Sequence, residues 1–387
     1  VKKMKACGLI VEYNPFHNGH LYHVQKAREL SQAEIIVAIM SGNFLQRGEP
    51  AMIDKWQRVQ AALANGVDLV VELPVEWAVQ AADYFAYGGI QILSALGCQS
   101  VCFGTDATSS FNYNEFGEQY HAQKEKIDAM FKQTDSKNLS YSQKMAQILP
   151  VFFPQLGTGK FSPNHILGMS YAYQNAHLTK PMELIALPRK NSQYHSLEMV
   201  GDIASATAIR QGLRQGLDVS QVVPAATQKA IKDYTVDWSD YWTILRYKII
   251  SSSISELKEM YQMTEGLEYR LKKYILEATS WSHYLSLLQT KRYTKTRIQR
   301  LLCYVLLNIK TTEMTQAWQQ KSIQLLGFTP AGKKYLKTIK KESSLPIISK
   351  VDAKIVENYP LMIRSNQIYQ MGHSNIPEQI FGRFPIQ

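Results

Sequence analysis

A short apolar segment, Ala6-Cys7-Gly8-Leu9-Ile10-Val11, runs into the turn Tyr13-Asn14-Pro15-Phe16-His17-Asn18-Gly19-His20. An amphipathic segment from Leu21 to Leu30 follows at once. A buried strand that opens a helix through a tight turn is the joint of a parallel α/β sheet, and few other folds accept it. The joint also carries chemistry. The first backbone N–H groups of a helix are free and its dipole is positive there, so the turn is ready to hold an anion. Two histidines three residues apart add imidazole donors suited to a polyphosphate. Gly19, between them, lets the backbone approach a ligand with no Cβ in the way.

The alternation continues through the first hundred residues. Strands are predicted at Ala6–Val11, Ile35–Met40, Asp68–Leu73 and Ser100–Phe103, and helices at Leu21–Leu30, Lys55–Ala64 and Val79–Leu96. Nearly all-apolar strands separated by helices imply a parallel sheet covered on both faces. The fold class is therefore α/β, a Rossmann-like parallel sheet. Its ligand belongs outside the carboxyl ends of the strands, where Val11 meets the histidine turn and Phe103 meets Gly104-Thr105-Asp106. Lys55 and Arg58 are expected on an ordinary exposed helix face.

From about residue 108 to 150 the sequence turns to Asn, Gln, Tyr, Glu and Lys with weak helical periodicity, which reads as a helical insertion. A Gly- and Pro-rich loop, Gly157 to His165, leads into a helix at Asn164–Ala176, and Leu184–Leu187 is a further strand followed by Arg189 and Lys190. Beyond about residue 235 the chain becomes helix-rich and basic, with a short α/β-like tail after Ile323. Two domains are expected: residues 1–235, a Rossmann-like part that carries the anion-binding turn, and residues 236–387, mainly helical and basic.

Net charge is +11 over 387 residues, which favours a polyanionic partner such as RNA. On the segment Tyr293–Ile309, Tyr293, Arg297, Arg300 and Tyr304 share one helical face, opposite Ile298, Leu301, Leu302, Val305 and Leu306. Arginine with tyrosine can hold phosphates and stack on unpaired bases; a solvated face reads equally well. Cys7, Cys98, Cys102 and Cys303 lack the spacing of a zinc site or disulfide frame. No apolar stretch is long enough to span a bilayer and no signal peptide is read, so a cytoplasmic protein is expected.

The strand–turn–helix carrying His17-Asn18-Gly19-His20 resembles the HIGH-motif nucleotidyltransferase superfamily, whose members activate a substrate with ATP and release pyrophosphate. The segment Ala204-Ser205-Ala206-Thr207-Ala208-Ile209-Arg210 resembles its second signature, Ile-Ser-Ser-Thr-x-Ile-Arg, with Ala204 and Ala206 departing from it. Arg210, one turn into a helix capped by Ser205 or Thr207, can reach phosphates from the side opposite His17 and His20.

Together with Phe103-Gly104-Thr105-Asp106, Ser162-Pro163-Asn164 and Lys291-Arg292-Tyr293-Thr294 with Arg297 and Arg300, these segments resemble the bacterial tRNA(Met) cytidine acetate ligase family over essentially the whole chain. The resemblance implies acetyl-adenylate formation from ATP and acetate, then acetyl transfer to N4 of the wobble cytidine of elongator tRNA(Met). It also implies an ATP site on Ile10, Val11, Glu12, Tyr13, Asn14, Pro15, Phe16, His17, Asn18, Gly19, His20, Leu21, Tyr22, His23, Gly104, Asn164 and Arg189. Contact with tRNA is expected at Lys291, Arg292, Tyr293, Arg297 and Arg300. Mg2+ is expected with ATP; no acidic cluster marks its ligands, and none is assigned. The alternatives are a small-molecule nucleotidyltransferase of the cofactor-making kind and a tRNA-binding protein without catalysis.

Overall fold

The computed structural model describes residues 4–107, 111–134, 141–157, 161–188, 203–264, 266–290 and 292–387. The chain opens as β1 (Ala6–Val11), α1 (Asn18–Ser31), β2 (Ile35–Ser41), α2 (Lys55–Ala64), β3 (Leu69–Leu73), α3 (Val75–Ala78), α4 (Ala82–Ala95) and β4 (Ser100–Thr105). It continues through α5 (Tyr113–Gln133), α6 (Tyr141–Phe152), α7 (Pro163–Ala176), β5 (Glu183–Pro188), α8 (Ala206–Arg214) and α9 (Ala225–Asp233). A helical run follows: α10 (Trp238–Ser251), α11 (Ile254–Lys258), α12 (Leu267–Glu277), α13 (Trp281–Leu288), α14 (Lys295–Leu306) and α15 (Thr311–Gln319). The chain then adds β6 (Ile323–Phe328), α16 (Pro330–Ile339), β7 (Ile347–Ile348), α17 (Ala353–Asn358) and α18 (Pro360–Gln370).

The strands form one seven-stranded sheet in the order β5-β4-β1-β2-β3-β6-β7. The first five run parallel; β6 lies antiparallel to β3, and β7 parallel to β6. β2 and β3 are buried at every position, as a sheet covered on both faces requires. One face is filled by Ile35, Val37, Ile39, Phe85, Ile90 and Tyr335, and the other by Leu9, Ile36, Met40, Val24 and Val59. Strand order reverses between β1 and β4. Neither strand's crossover helix covers the gap between their carboxyl ends, so a cleft opens there.

The predicted strands all form, and tertiary contacts change three expectations. The helix expected over Val79–Leu96 starts only at Ala82: the Val79 carbonyl accepts a 2.5 Å bond from the Tyr304 hydroxyl of α14 and is lost to the helix. The short α/β-like tail, expected within a mainly helical second domain, instead adds β6 to the central sheet beside β3. Lys55 and Arg58 are completely buried rather than exposed. Lys55 Nζ lies 2.6 Å from Glu72 Oε2. Arg58 donates to the carbonyls of Ile53, Glu12, Ser41 and Gly42, tying the ends of β1 and β2 together beneath the cleft.

The helices after residue 236 build their own core around Trp238, Tyr241, Leu271, Tyr284, Ile298 and Leu302. That core includes Phe44 and Val79 from the loops around the sheet and Val75 of α3. The loop after β2 is thereby trapped between sheet and helices: Trp238 Nε1 donates to the Gly48 carbonyl at 2.9 Å.

Candidate active site

A cleft of about 1150 Å³ lies over the carboxyl ends of β1, β4 and β5. Its wall begins with Ile10, Val11, Glu12, Tyr13 and Asn14 and continues through His17, Gly19, His20, Tyr22 and His23. His17 is the N-cap of α1. Its Nδ1 accepts from Gly19 N at 3.0 Å, while His20 Nδ1 accepts from His17 N at 3.3 Å. This is a reciprocal capping box built from imidazoles, its rings stacked with centroids 3.7 Å apart. A nitrogen that accepts a backbone N–H carries no proton, so the neutral rings hold their protons on Nε2. The fold thus presets both imidazoles as Nε2–H donors. A Cβ on residue 19 would lie 2.8 Å from His17 Cε1, so glycine is needed for the ring to take this pose.

The rest of the turn is structural. Phe16 is buried against Tyr13, and Asn18 turns away, donating through Nδ2 to the Gln221 carbonyl. Asn14 is held by Met52 N, which donates to its Oδ1 at 2.7 Å. Pro15, Phe16, Asn18 and Leu21 are not among the residues lining the cleft.

The opposite wall comes from α7, α8 and the strand ends. Gly104 lines the cleft beside Phe103. Asn164 does not cap α7. Ser162 does so, accepting from His165 N, and Asn164 is left to donate to Asp106 Oδ2 at 2.9 Å. Ser205 caps α8 and faces the cleft; Thr207 is contacted by Arg210 at 3.4 Å. Arg210 itself donates to the Asn14 carbonyl at 2.7 Å and lies 3.8 Å from Glu49. It thereby joins the second signature to the first. Arg189 and Lys291 lie outside the described residues.

Several lining residues had no sequence signal of their own. Gln46 and Arg47 follow β2, and the rule that ligands gather at strand ends points to them only in hindsight. Arg300, expected from the sequence to contact tRNA, lines the cleft from α14 together with Thr294 and Thr296. The face of α14 that the spacing grouped together is mostly packed. Tyr304 is fully buried, and Arg297 donates to Gln262 Oε1 and its carbonyl, both at 2.8 Å. Tyr293 is half-buried and Arg292 is exposed.

Glu12 is the one carboxylate among the described lining residues. Burial raises its pKa, against the opposing bond from Gln46 N to Oε1 at 2.8 Å. Burial likewise lowers the pKa of Arg210, though Glu49 and Glu12 favour its charge. Cationic and N–H donors thus dominate the cleft, which suits it to a polyanion.

A Rossmann-like sheet with paired imidazole donors at its switch point defines a nucleotide-handling α/β enzyme. The HIGH Nucleotidyl Transferase family matches residues 4–382. A tRNA(Met) cytidine acetate ligase from Latilactobacillus sakei is 45% identical, with 91% of this chain and 89% of that protein covered. Another from Leuconostoc citreum is 41% identical, with 95% and 93% covered. The crystal structure of apo Thermotoga maritima TmcAL superposes with a TM-score of 0.90 at 28% identity, covering 99% of each chain. The same enzyme bound with alpha-thio ATP gives 0.88 at 28% identity, again covering 99% of each chain. This chain therefore belongs to the HIGH nucleotidyl transferases and, within them, to the tRNA(Met) cytidine acetate ligase family.

Proposed function

We propose that this ATP-dependent ligase, which acetylates a cytidine of tRNA(Met), runs two half-reactions in the one cleft. ATP lies across the switch point, its phosphates against the first turn of α1. An acetate oxygen attacks the α-phosphorus, the bond to the bridging β-oxygen breaks, and pyrophosphate leaves with the electron pair. The N4 amine of the wobble cytidine of elongator tRNA(Met) then attacks the acetyl carbon; AMP departs and N4 loses a proton. His17 and His20 donate from Nε2 to the phosphates, and Arg210 approaches from α8. Ile10 to Asn14, Gly104, Asn164 and Ser205 shape the nucleotide's bed. Positioning and charge stabilisation are what such a displacement asks of a protein.

The observation that carries this reading is the imidazole capping box. It supports two donors held without reorganisation at a helix N-terminus on the switch point of the sheet.

Mg2+ would arrive with the triphosphate, screening its oxygens. Among the described residues no group of three His, Cys, Asp or Glu side chains could hold an ion. Residues 1–235 carry most of the ATP site, and the basic helical layer after residue 236 presents the tRNA, with Arg292 exposed to meet it. No helix among the described residues is long and apolar enough to cross a membrane, and we place the protein in the cytoplasm with its tRNA.

The test is incubation of the purified protein with ATP, isotopically labelled acetate and unmodified tRNA(Met), followed by mass spectrometry of the nucleosides. Labelled N4-acetylcytidine at the wobble position is expected. Its absence, with pyrophosphate release that ignores acetate, would refute the reading.

A further inference from the structure

The cations of the cleft differ in what they already hold. Arg210 is engaged with the Asn14 carbonyl and Glu49. Arg297, on α14 but not among the residues lining the cleft, is used up on Gln262. Arg300, three residues further along α14, makes one long contact, 3.4 Å from Nε to the Thr296 carbonyl. It has no ion pair among the described residues. The ionisable groups acting on it most are Tyr304, Arg297 and Tyr261, and none is a carboxylate. A guanidinium has five N–H donors. Holding one largely out of water with no acid beside it is unfavourable until an anion arrives.

The setting of Arg300 is rigid. A Cβ on Gly48 would lie 2.3 Å from Arg300 N, so the loop carrying Arg47 packs directly on the α14 backbone at this residue. Tyr304, one turn on, is bonded to the Val79 carbonyl. α14 is therefore fixed to the loops that form the cleft floor. The Arg300 side chain, with Thr294 and Thr296, lines the same cleft as His17 and His20.

We propose that Arg300 binds the polyphosphate of ATP and steadies the charge on pyrophosphate as it leaves, so that the helical C-terminal layer takes part in acetate activation. The proposal rests on the ligase reading above. Arg300 donates N–H groups and stays protonated throughout; the electron pair of the broken phosphorus–oxygen bond leaves with pyrophosphate. ATP is favoured over RNA because Arg300 lies inside the cleft and half-buried, whereas Arg292 and Lys295 at the head of the same helix are exposed.

The full-length protein, R300Q and R300K are compared in three assays: calorimetric binding of α,β-methylene-ATP, acetate-dependent ATP–pyrophosphate exchange without tRNA, and retention of tRNA on filters. R300Q should lose about 10²-fold in exchange and about tenfold in analogue affinity, while tRNA retention stays within about twofold. R300K, a point charge without the guanidinium fork, should recover part of the exchange. If R300Q fails to fold, R300K decides alone: an exchange rate equal to wild type overturns the proposal. Wild-type analogue affinity and exchange in R300Q overturn it too, and lost tRNA retention would then give Arg300 to the RNA. A wild-type protein that binds the analogue through Arg300 yet shows no acetate-dependent exchange would sink the ligase reading, and with it the role in activation, while the polyphosphate contact of Arg300 would stand.

Discussion

Replacing Glu76 by glutamine should remove much of the pH dependence of stability between pH 5 and 8. Glu76 sits on α3 with 8% of its surface exposed. Burial raises its pKa from 4.5 to about 8; its own backbone N–H opposes this and nearby Glu72 adds to it. Above pH 4.5 the unfolded chain sheds a proton that the native state keeps. Stability therefore falls as pH rises through that range and levels off above about 8. The span from 4.5 to about 8 corresponds to roughly 5 kcal/mol, of which about 3 kcal/mol falls between pH 5 and 8. Urea unfolding of wild type and E76Q, followed by tryptophan fluorescence at pH 5, 6, 7 and 8, measures it. Glu12, also raised by burial, contributes its slope to both proteins and cancels in the difference. Wild type should lose about 3 kcal/mol relative to E76Q over this range. Two curves that stay parallel within about 1 kcal/mol would refute the buried-acid argument.

The Lys55–Glu72 pair gives a second check. K55M or E72M alone should each cost about 3–5 kcal/mol, because either leaves a buried charge without its partner, and K55M/E72M should recover most of the loss in a double-mutant unfolding cycle. H20A should lower acetate-dependent pyrophosphate exchange about 10²-fold or more, yet cost only about 1 kcal/mol of stability, the loss of one helix cap, by thermal melting. G48A places a Cβ at φ +74° and 2.3 Å from Arg300 N. It should cost at least about 2 kcal/mol by urea unfolding and weaken analogue binding, because the loop bearing Arg47 has to lift off α14.

Local pattern was enough for the opening strand–turn–helix. β1, the histidine turn and α1 depend on interactions within a few residues: an apolar run, a helix start, and imidazoles that cap the turn they belong to. The sequence therefore pointed to the corner that lines the cleft without knowledge of anything distant. The same locality misled on α2 and α14. Helical spacing states which residues share a face, but what that face meets is a property of other segments. Lys55 and Arg58 looked solvated because nothing near them in sequence announces Glu72, or the four carbonyls that Arg58 joins. Tyr304 and Arg297 looked available to RNA, yet one is taken by Val79 and the other by Gln262.

What the chain decides by itself is thus the parallel sheet, its switch point and the paired imidazole donors, since period, capping and turn chemistry act over short range. The tertiary structure alone decides that α14 forms part of the cleft, that β6 extends the sheet antiparallel to β3, and that two basic residues of α2 are internal. Each follows from contacts between residues tens to hundreds of positions apart, where burial and the need to satisfy every buried polar group select the partner.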